Sequence, residues 1–331
     1  MRIGVIGAGA IGGTFAALLD RAGHEVMVTA RGAQLDAIRE RGLQLRGVLG
    51  EHLARIGAAQ VLPEAPELAL LTVKAQDAPA AAAAHAALLP GVPVVVIQNG
   101  LEGPQALRRV LSGSPLIGGL SLMAASYLEP GVVTVTGPGV TVLGTDTATR
   151  AELADVAAVL GAVTPVSTTS DLRGAQWSKL VVNQLNAAPA LTGLPVQEAL
   201  ASPALRRAVA SAMRETVRVG QAAGARFGGV PGMTTGALRA LDLLPAAVSG
   251  LLLTARMVDR MGPVPNPGST LQSLRRGRPT EIDHLSGAVV REGERVRVPT
   301  PANRQIVALV HEVERSGRFL SPEDAAGRIL D

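Results

Sequence analysis

Lysine is rare in this sequence, and its two occurrences are therefore the first candidates for chemistry. Of 31 lysine and arginine residues, only Lys74 and Lys179 are lysines. A lysine ammonium can titrate and give up a proton, whereas an arginine guanidinium stays protonated. Lys74 ends the apolar run LALLTVK, and Lys179 lies in a helical pattern that begins near residue 172. The two lysines are candidates for proton transfer or for ligand contacts that arginine cannot replace.

Asparagine is almost as rare, and two of the five asparagines follow Lys179 on the same predicted helix. At about 100° per residue, Asn183 and Asn186 fall within about 40° of Lys179, which predicts one polar stripe on an otherwise apolar helix. A third, Asn99, closes the run VPVVVIQ. The alternative is structural: the asparagines satisfy backbone groups between helices, and Lys179 reaches the surface.

A glycine pattern near the beginning of the chain predicts a dinucleotide-binding loop. The strand RIGVIG runs into Gly7-Ala8-Gly9-Ala10-Ile11-Gly12, followed by a helix and the strand EVMVTA. In this pattern the first glycine makes a tight turn, the second lets a pyrophosphate approach the backbone, and the third allows close helix packing. We therefore expect Gly7, Gly9, Gly12 and the helix start at Ala10 and Ile11 to bind a cofactor.

The residue after the second strand indicates which cofactor is bound. NAD enzymes usually carry an acidic residue there for the ribose hydroxyls, but this sequence reads Thr29-Ala30-Arg31. A guanidinium can bind a 2′-phosphate through charge-assisted hydrogen bonds, which favours NADP(H) over NAD. The alternative is that Arg31 is an ordinary solvated loop residue.

The distribution of strand and helix patterns predicts an α/β fold in two domains. Residues 1–170 alternate β-branched runs with helices, as expected for a Rossmann-type doubly wound sheet that binds NADP. The segments SPLIGGLSLMAAS and VVTVTGPGVTVLG are predicted to be edge strands or a hairpin, and residues 163–167 a last strand. Residues 171–331 are predicted to be a mainly helical substrate and catalytic domain, with helices over 172–191, 203–223 and 241–257.

Composition argues against several classes of protein. The chain has no cysteine and only five scattered histidines, so neither disulfides nor a metal site are expected. A net charge of +4 with 2% aromatic residues argues against nucleic-acid binding. Residues 3–19 carry no charge and imitate a signal peptide, but they continue into a βαβ unit. With no convincing membrane span, we expect a cytoplasmic protein without a membrane partner.

Taken together, these residues resemble the ketopantoate reductase (2-dehydropantoate 2-reductase) family, within the wider 6-phosphogluconate dehydrogenase-like group. The resemblance covers almost the whole chain. It rests on GAGAIGG, Arg31, TVKA around Lys74, QNG around Asn99, RGAQWSKLVVN around Lys179, GRPTEIDHLSG around Glu281, and VPTPAN.

The resemblance implies roles for the candidate residues. In the family, an N-terminal Rossmann domain binds NADPH and a helical C-terminal domain completes the substrate site. Lys179 would be the general acid and Glu281 the anchor of the substrate hydroxyl, while Asn99, Asn183, Asn186, Asn266 and Ser269 would hold the 2-oxo acid. Lys74 and Asn99 are also expected to contact the cofactor. Hydride delivery to a ketone leaves an alkoxide, which needs the proton and hydrogen bonds that a lysine with Asn99 and Asn183 can supply.

Two positions depart from the family pattern and leave the substrate open. Typical members carry K-x-x-x-N-x-x-x-N-P, but here Ala187 occupies the second asparagine position, and Ser273 replaces an aspartate common in S-x-x-Q-D. The leading interpretation is NADPH-dependent reduction of 2-dehydropantoate to pantoate in pantothenate synthesis. The alternatives are reduction of another branched 2-oxo acid by the same chemistry, or a noncatalytic NADP(H)-binding regulator. A homodimer is left open.

Overall fold

The chain divides into two compact units, Met1–Leu172 (unit 1) and Arg173–Asp331 (unit 2). The computed structural model describes residues 1–230, 233–243, 248 and 265–331. Unit 1 carries the strands: Arg2–Ile6 (β1), Glu25–Thr29 (β2), Leu43–Gly47 (β3), His52–Ala54 (β4), Gly57–Ala59 (β5), Leu68–Leu71 (β6), Val94–Ile97 (β7), Leu116–Ser121 (β8), Ala124–Glu129 (β9), Val132–Gly137 (β10), Thr141–Gly144 (β11) and Val166–Thr169 (β12).

Eight strands form a mainly parallel sheet in the order β12-β11-β8-β7-β6-β1-β2-β5. All neighbours run parallel except β8 and β11. Alternate residues enter two separate cores: Leu68 and Leu70 belong to one, and Ala69 and Leu71 to the other. Burial on both faces is the mark of a doubly wound sheet and confirms the predicted fold class.

A second, smaller sheet in the order β4-β3-β10-β9 is a feature that the sequence did not predict. The segment predicted as SPLIGGLSLMAAS divides into β8 and β9, which lie in different sheets, and VVTVTGPGVTVLG divides into β10 and β11 in the same way. The prediction of edge strands is wrong for β8 and β11, which are interior strands of the large sheet. The β9–β10 pair is an antiparallel hairpin, as predicted.

The helices of unit 1 are Ala10–Arg21 (α1), Gly32–Arg41 (α2), Ala78–His85 (α3), Gly103–Leu107 (α4) and Arg150–Gly161 (α5). Helix α1 packs on both sheets. A Cβ at Gly12 would overlap Thr72 next to the large sheet, and a Cβ at Gly13 would lie 2.8 Å from Val133 of the small sheet. Consecutive glycines therefore let α1 fit closely on both sides.

Unit 2 is helical in its described residues. Its helices are Leu172–Asn183 (α6, whose first residue closes unit 1), Ala187–Thr192 (α7), Val196–Ala199 (α8), Pro203–Ala222 (α9), Thr235–Leu243 (α10), Gly268–Arg275 (α11), Ser286–Val296 (α12), Pro301–Ser316 (α13) and Pro322–Leu330 (α14). The predicted helix over 241–257 lies largely outside the described residues. Within the described ranges, no helix has the length and apolarity needed to cross a membrane.

The predicted helix over 172–191 is interrupted at Gln184–Asn186, where one 3-10 turn separates α6 from α7. Pro189 explains the break, because it has no N–H to donate to the carbonyl four residues earlier. A 3-10 turn advances about 120° per residue, so three residues return Asn186 to the side of Asn183. The break therefore keeps the two asparagines on one side.

A buried carboxylate joins α9 to the beginning of α13 and accounts for the VPTPAN motif. Glu215 accepts hydrogen bonds from the Ala302 N–H (2.8 Å) and from both the N–H and Nδ2 of Asn303 (2.9 and 2.8 Å). Burial raises the pKa of Glu215, and these hydrogen bonds oppose the shift. Asn303, which is fully buried, thus has a structural part in unit 2.

Glu215→Gln is expected to lower the free energy of unfolding by about 1–3 kcal/mol, because the new amide group points a donor at groups that are themselves donors. Urea denaturation followed by circular dichroism measures the change. Glu294→Gln is the matched control, since Glu294 pairs with Arg304 at an exposed site, and its loss should cost less than about 1 kcal/mol. Equal destabilisation by both variants would contradict the assignment.

Candidate active site

Four candidate residues lie just beyond the carboxyl ends of neighbouring strands in unit 1. Gly7 follows β1, Arg31 follows β2 by two residues, Lys74 follows β6, and Asn99 follows β7. These strands are adjacent in the order β2-β1-β6-β7. The chain leaves β1 toward β2 on one side and reaches β6 and β7 on the other. Open α/β sheets bind ligands at such a reversal of strand order.

The three glycines of the loop have different surroundings. Gly7 has φ +108°, and a Cβ there would lie 2.9 Å from the Val73 nitrogen, so only glycine fits without strain. A Cβ at Gly12 would overlap the carbonyl oxygen of Gly7 and the hydroxyl of Thr72. Gly9 has an ordinary φ of −81°, and a Cβ there would meet no atom within 4 Å. Neither positive φ nor close packing requires a glycine at 9, and the space beside it is open.

Side chains that the sequence did not single out hold this loop. Thr29 Oγ1 accepts a hydrogen bond from the Gly7 N–H (3.0 Å). Gln34, only 6% exposed, donates from Nε2 to the Ala8 carbonyl (2.8 Å) and accepts from the Gly131 N–H (2.7 Å). Gln34 thereby joins the glycine loop to the turn of the β9–β10 hairpin. The loop is fixed by the protein itself.

The first turn of α1 begins at Ala10 and Ile11, and Gly9 precedes it without a side-chain cap. The free N–H groups and the dipole of a helix N-terminus favour a phosphate at this position. Arg31 immediately precedes α2 and is exposed. It forms no ion pair with any residue that the structure describes, so its guanidinium is available for an anion.

Lys74 and Asn99 are half-buried, and each makes contacts within the protein. Lys74 precedes a 3-10 turn at Ala75–Asp77. Between the two residues, Gln98 donates from Nε2 to the carbonyl of Val73 (2.8 Å). This hydrogen bond joins the ends of β6 and β7, and so it fixes the segments that carry Lys74 and Asn99.

Lys179 lies on α6 in unit 2 with only 9% of its surface exposed. Burial lowers its pKa to about 8, and the nearby Glu281 carboxylate opposes the shift. An ammonium with this pKa is a better proton donor near neutral pH than a free lysine with a pKa near 10.4. The alternative that Lys179 reaches solvent is wrong, since the side chain is buried.

Asn183, one turn after Lys179, is 8% exposed. Its Nδ2 is buried and has no hydrogen-bond partner within the described residues. A buried amide without a partner costs free energy comparable to a lost hydrogen bond. The alternative that Asn183 joins two helices is therefore not supported at Nδ2. This atom is suited to donate a hydrogen bond to a ligand.

Asn186 lies against the turn that carries Asn266 and Ser269. A Cβ at Gly268, where φ is +64°, would lie 2.9 Å from Asn186 Oδ1. The side-chain oxygen of Asn266 accepts a hydrogen bond from the Gly268 N–H (2.9 Å), so part of Asn266 shapes the turn. Ser269 is exposed in the first turn of α11. The structure thus brings Asn186 to the Asn266–Ser269 segment.

Glu281 immediately precedes a 3-10 turn at Ile282–His284, and its side chain does not cap that turn. Thr280 supplies the local contact instead, since its Oγ1 accepts a hydrogen bond from the Ile282 N–H (3.3 Å). The half-buried Glu281 carboxylate is close enough to act on the Lys179 ammonium. Unit 2 therefore brings an acidic and a basic candidate into one place.

The two departures from the family pattern have different surroundings. Ala187 begins α7 and is buried, one residue beyond Asn186. Ser273 is buried on α11 and donates from Oγ to the carbonyl of Ser269 (3.1 Å). Ala187 thus replaces an asparagine next to a proposed substrate contact, whereas Ser273 acts on the backbone of Ser269. No group of three or more potential metal ligands occurs in the described part of the chain.

Comparison with known proteins identifies the same family over both units. The model of the family "Ketopantoate reductase PanE/ApbA" matches residues 3–147, and the model of its C-terminal domain matches residues 171–314. A curated relative, the 2-dehydropantoate 2-reductase of Archaeoglobus fulgidus, is 31% identical over 319 residues, which cover 95% of this chain and 98% of the relative.

The chain is also similar to proteins of known structure. A PanE/ApbA family ketopantoate reductase from Ralstonia eutropha JMP134 is 30% identical with a TM-score of 0.79, over 95% of this chain and 99% of that chain. A D-mandelate dehydrogenase, solved with NADH and anilino(oxo)acetate, also has a TM-score of 0.79, over 96% of this chain and 99% of its own. It is 21% identical, and at that level the likeness shows the fold alone.

Proposed function

Because this chain belongs to the ketopantoate reductase family, we propose that it reduces 2-dehydropantoate to pantoate with NADPH, a step of pantothenate synthesis. Membership makes it an oxidoreductase of a nicotinamide-dependent family. The observation that carries the proposal is the burial of Lys179 near the Glu281 carboxylate. Burial lowers the pKa of Lys179 to about 8, and Glu281 opposes this shift. A noncatalytic regulator would need neither a proton donor nor a carboxylate beside it.

The carboxyl edge of unit 1 fits a dinucleotide. The open space at Gly9 and the unpaired N–H groups of Ala10 and Ile11 would receive the pyrophosphate. Arg31 would bind the 2′-phosphate, and Lys74 and Asn99 are proposed as further cofactor contacts. When bound, the reduced nicotinamide supplies a hydride to the 2-oxo carbon.

The residues of unit 2 supply the rest of the chemistry. As the carbonyl carbon accepts the hydride, the C=O π electrons move to oxygen, and Lys179 Nζ donates a proton to that oxygen and becomes a neutral amine. Asn183 Nδ2, which is buried without a partner, donates a hydrogen bond to the same oxygen. Such a donor acts most strongly on the charge that develops in the transition state.

The remaining candidates would hold the substrate. Glu281 accepts a hydrogen bond from the substrate hydroxyl, and Asn186, Asn266 and Ser269 hold the 2-oxo acid group. Asn186 and the Gly268 turn adjoin each other, which supports a shared task. Asn99, in unit 1, is proposed as a further contact of the 2-oxo acid.

The direct test is loss of NADPH absorbance with a panel of 2-oxo acids. We expect turnover with 2-dehydropantoate and less with analogues that lack its hydroxyl. The second candidate is reduction of another branched 2-oxo acid. The observation that favours it is Ala187, which stands beside Asn186 where typical family members carry an asparagine. Highest kcat/KM with a different panel member would establish that candidate. No turnover with any member would indicate a regulator.

Arg31→Ala is expected to weaken NADPH binding by about 1.5–3 kcal/mol and to leave NADH binding nearly unchanged, because only NADPH carries the 2′-phosphate. Fluorescence titration of each reduced cofactor measures the two dissociation constants. Arg41→Ala is the matched control, since Arg41 is an exposed arginine at the other end of the same helix. Equal affinity of the native protein for both cofactors would contradict the assignment of Arg31.

A further inference from the structure

Two residues on helix α13 contact residues on both sides of Glu281, the backbone of Thr280 and the side chain of Asp283. Before Glu281, the Thr280 N–H donates a hydrogen bond to Glu314 Oε1 (2.8 Å). After it, Asp283 Oδ1 lies 3.1 Å from His311 Nε2. His311 and Glu314 are themselves joined, since His311 Nδ1 lies 2.6 Å from Glu314 Oε2. Helix α13 therefore contacts Thr280, directly before Glu281, and Asp283, two residues after it, through two residues that are bonded to each other.

The contact before Glu281 is the stronger of the two. Thr280 is buried, and a backbone N–H donating to a carboxylate is a charge-assisted bond. The Asp283 side chain is 55% exposed, so its bond with His311 is weakened by solvent. Burial alone would lower the pKa of His311, but its hydrogen bonds with Glu314 and Asp283 raise it. The charged imidazole is therefore favoured between two carboxylates.

The short segment around Glu281 also has local bonds and one bond from helix α12, where Arg291 donates to the carbonyl of Asp283 (2.9 Å). The carbonyl of Glu281 accepts from the His284 and Leu285 N–H groups (2.9 and 3.1 Å), and Thr280 Oγ1 accepts a long 3.3 Å bond from Ile282. Such local bonds define the turn but not its direction relative to Lys179. That direction depends on contacts with other helices, and Glu314 supplies a bond to the residue directly before Glu281, while His311 and Arg291 both contact Asp283.

We propose that Glu314 and His311 are positioning residues, which fix the Glu281 carboxylate for substrate recognition by holding Thr280 and Asp283. The inference rests on the proposed role of Glu281 as the anchor of the substrate hydroxyl. In this proposal both α13 residues act through Glu281 and have no substrate contact of their own. Loss of this hold weakens substrate binding and leaves the hydride step intact, and it changes the proton step only through the pKa of Lys179.

Glu314→Ala is expected to raise KM for 2-dehydropantoate by about threefold to thirtyfold, with kcat on the acidic side of its alkaline decline within about twofold of native and NADPH affinity unchanged. Glu314→Gln keeps an acceptor for the Thr280 N–H and should restore most of the native KM. Glu312→Ala is the matched control, because Glu312 lies two residues earlier on α13 and pairs with Arg328 at an exposed site. It should leave KM unchanged.

A double-mutant cycle tests whether the effect passes through Glu281. In a Glu281→Ala background, Glu314→Ala should raise KM no further. An effect of full size in that background would show a general structural role and overturn the inference, as would a native KM in Glu314→Ala. If Glu314→Ala does not fold, His311→Ala serves the same cycle with a smaller expected rise in KM.

A pH profile supplies a second measurement that a general structural role would not change. Because the Glu281 carboxylate opposes the lowering of the Lys179 pKa, displacing Glu281 in Glu314→Ala should move the alkaline decline of kcat to lower pH, and Glu281→Ala should do the same. Glu312→Ala should leave the profile in place, and an unmoved profile in Glu314→Ala would count against the inference. A native KM in Glu281→Ala would instead overturn the proposed role of Glu281 itself, so the two failures are distinguishable.

Discussion

Lys179→Arg is expected to lower kcat by about 10² to 10⁴ while NADPH affinity stays near native. Arginine keeps a positive charge in place but cannot release a proton at useful pH. Stopped-flow measurement of the hydride step, with saturating NADPH and 2-dehydropantoate, gives the rate directly. The single tryptophan, Trp177, is buried two residues from Lys179, and its emission reports whether α6 still packs normally.

The pH dependence of the same step shows whether Lys179 acts as a general acid or as a general base. A general acid must be protonated before the reaction, so native kcat for reduction should decline as pH rises through about 8, the pKa of Lys179. The low rate of Lys179→Arg should lack this decline, because arginine does not titrate in that range. A native rate in Lys179→Arg would reduce Lys179 to an electrostatic or packing role.

The positions of the candidate residues at the ends of strands in unit 1 could be predicted because the sequence signals for them are local. A strand, a glycine loop and a helix follow one another in the chain, and parallel pairing then places Arg31, Lys74 and Asn99 at one edge of the sheet. Gln34 was not predicted, although it joins the loop to Gly131. A glutamine in a first helical turn has the same sequence pattern whether it is solvated or buried.

The small sheet escaped prediction because its pairing is not local. Strand β4 has three residues, too few to show alternation, and β3 pairs with β10 from far along the chain. The alternation of apolar and polar residues in VVTVTGPGVTVLG indicates strands with one buried face, but it does not indicate which sheet each strand joins. In unit 2, the helix break at Gln184–Asn186 depends on Pro189, a signal that was present in the sequence but was outweighed by the apolar pattern.

The cluster in unit 2 could be predicted only in part. Rarity and helical spacing indicated Lys179, Asn183 and Asn186, but nothing local to them indicated Glu281, which came from the family resemblance alone. Its proximity to Lys179 arises from tertiary packing of the segment that follows α11. The carboxylates and imidazole on α13 have the sequence pattern of a solvated helix face, and only the structure shows that they contact Thr280 and Asp283.

Glu281 is expected to make the enzyme prefer 2-dehydropantoate to the hydroxyl-free 2-oxo-3,3-dimethylbutanoate by at least about tenfold to a hundredfold in kcat/KM. The carboxylate gains a charge-assisted hydrogen bond from the substrate hydroxyl, whereas a methyl group in that place leaves it partly desolvated and unpaired. Polar sites reject substrates that lack their partner more strongly than apolar sites reject a missing methylene. Steady-state assays with both acids give the ratio.

The variants decide whether Glu281 causes this preference. Glu281→Ala should reduce the ratio by lowering kcat/KM for the hydroxylated acid much more than for the plain one. Glu281→Gln, which keeps the shape and an acceptor oxygen but loses the charge, should fall between native and Glu281→Ala. If the native enzyme used both acids equally, Glu281 would not recognise a hydroxyl. Since Ala187 already removes one amide from this region, the chain would then be a general 2-oxo acid reductase rather than one specific for 2-dehydropantoate.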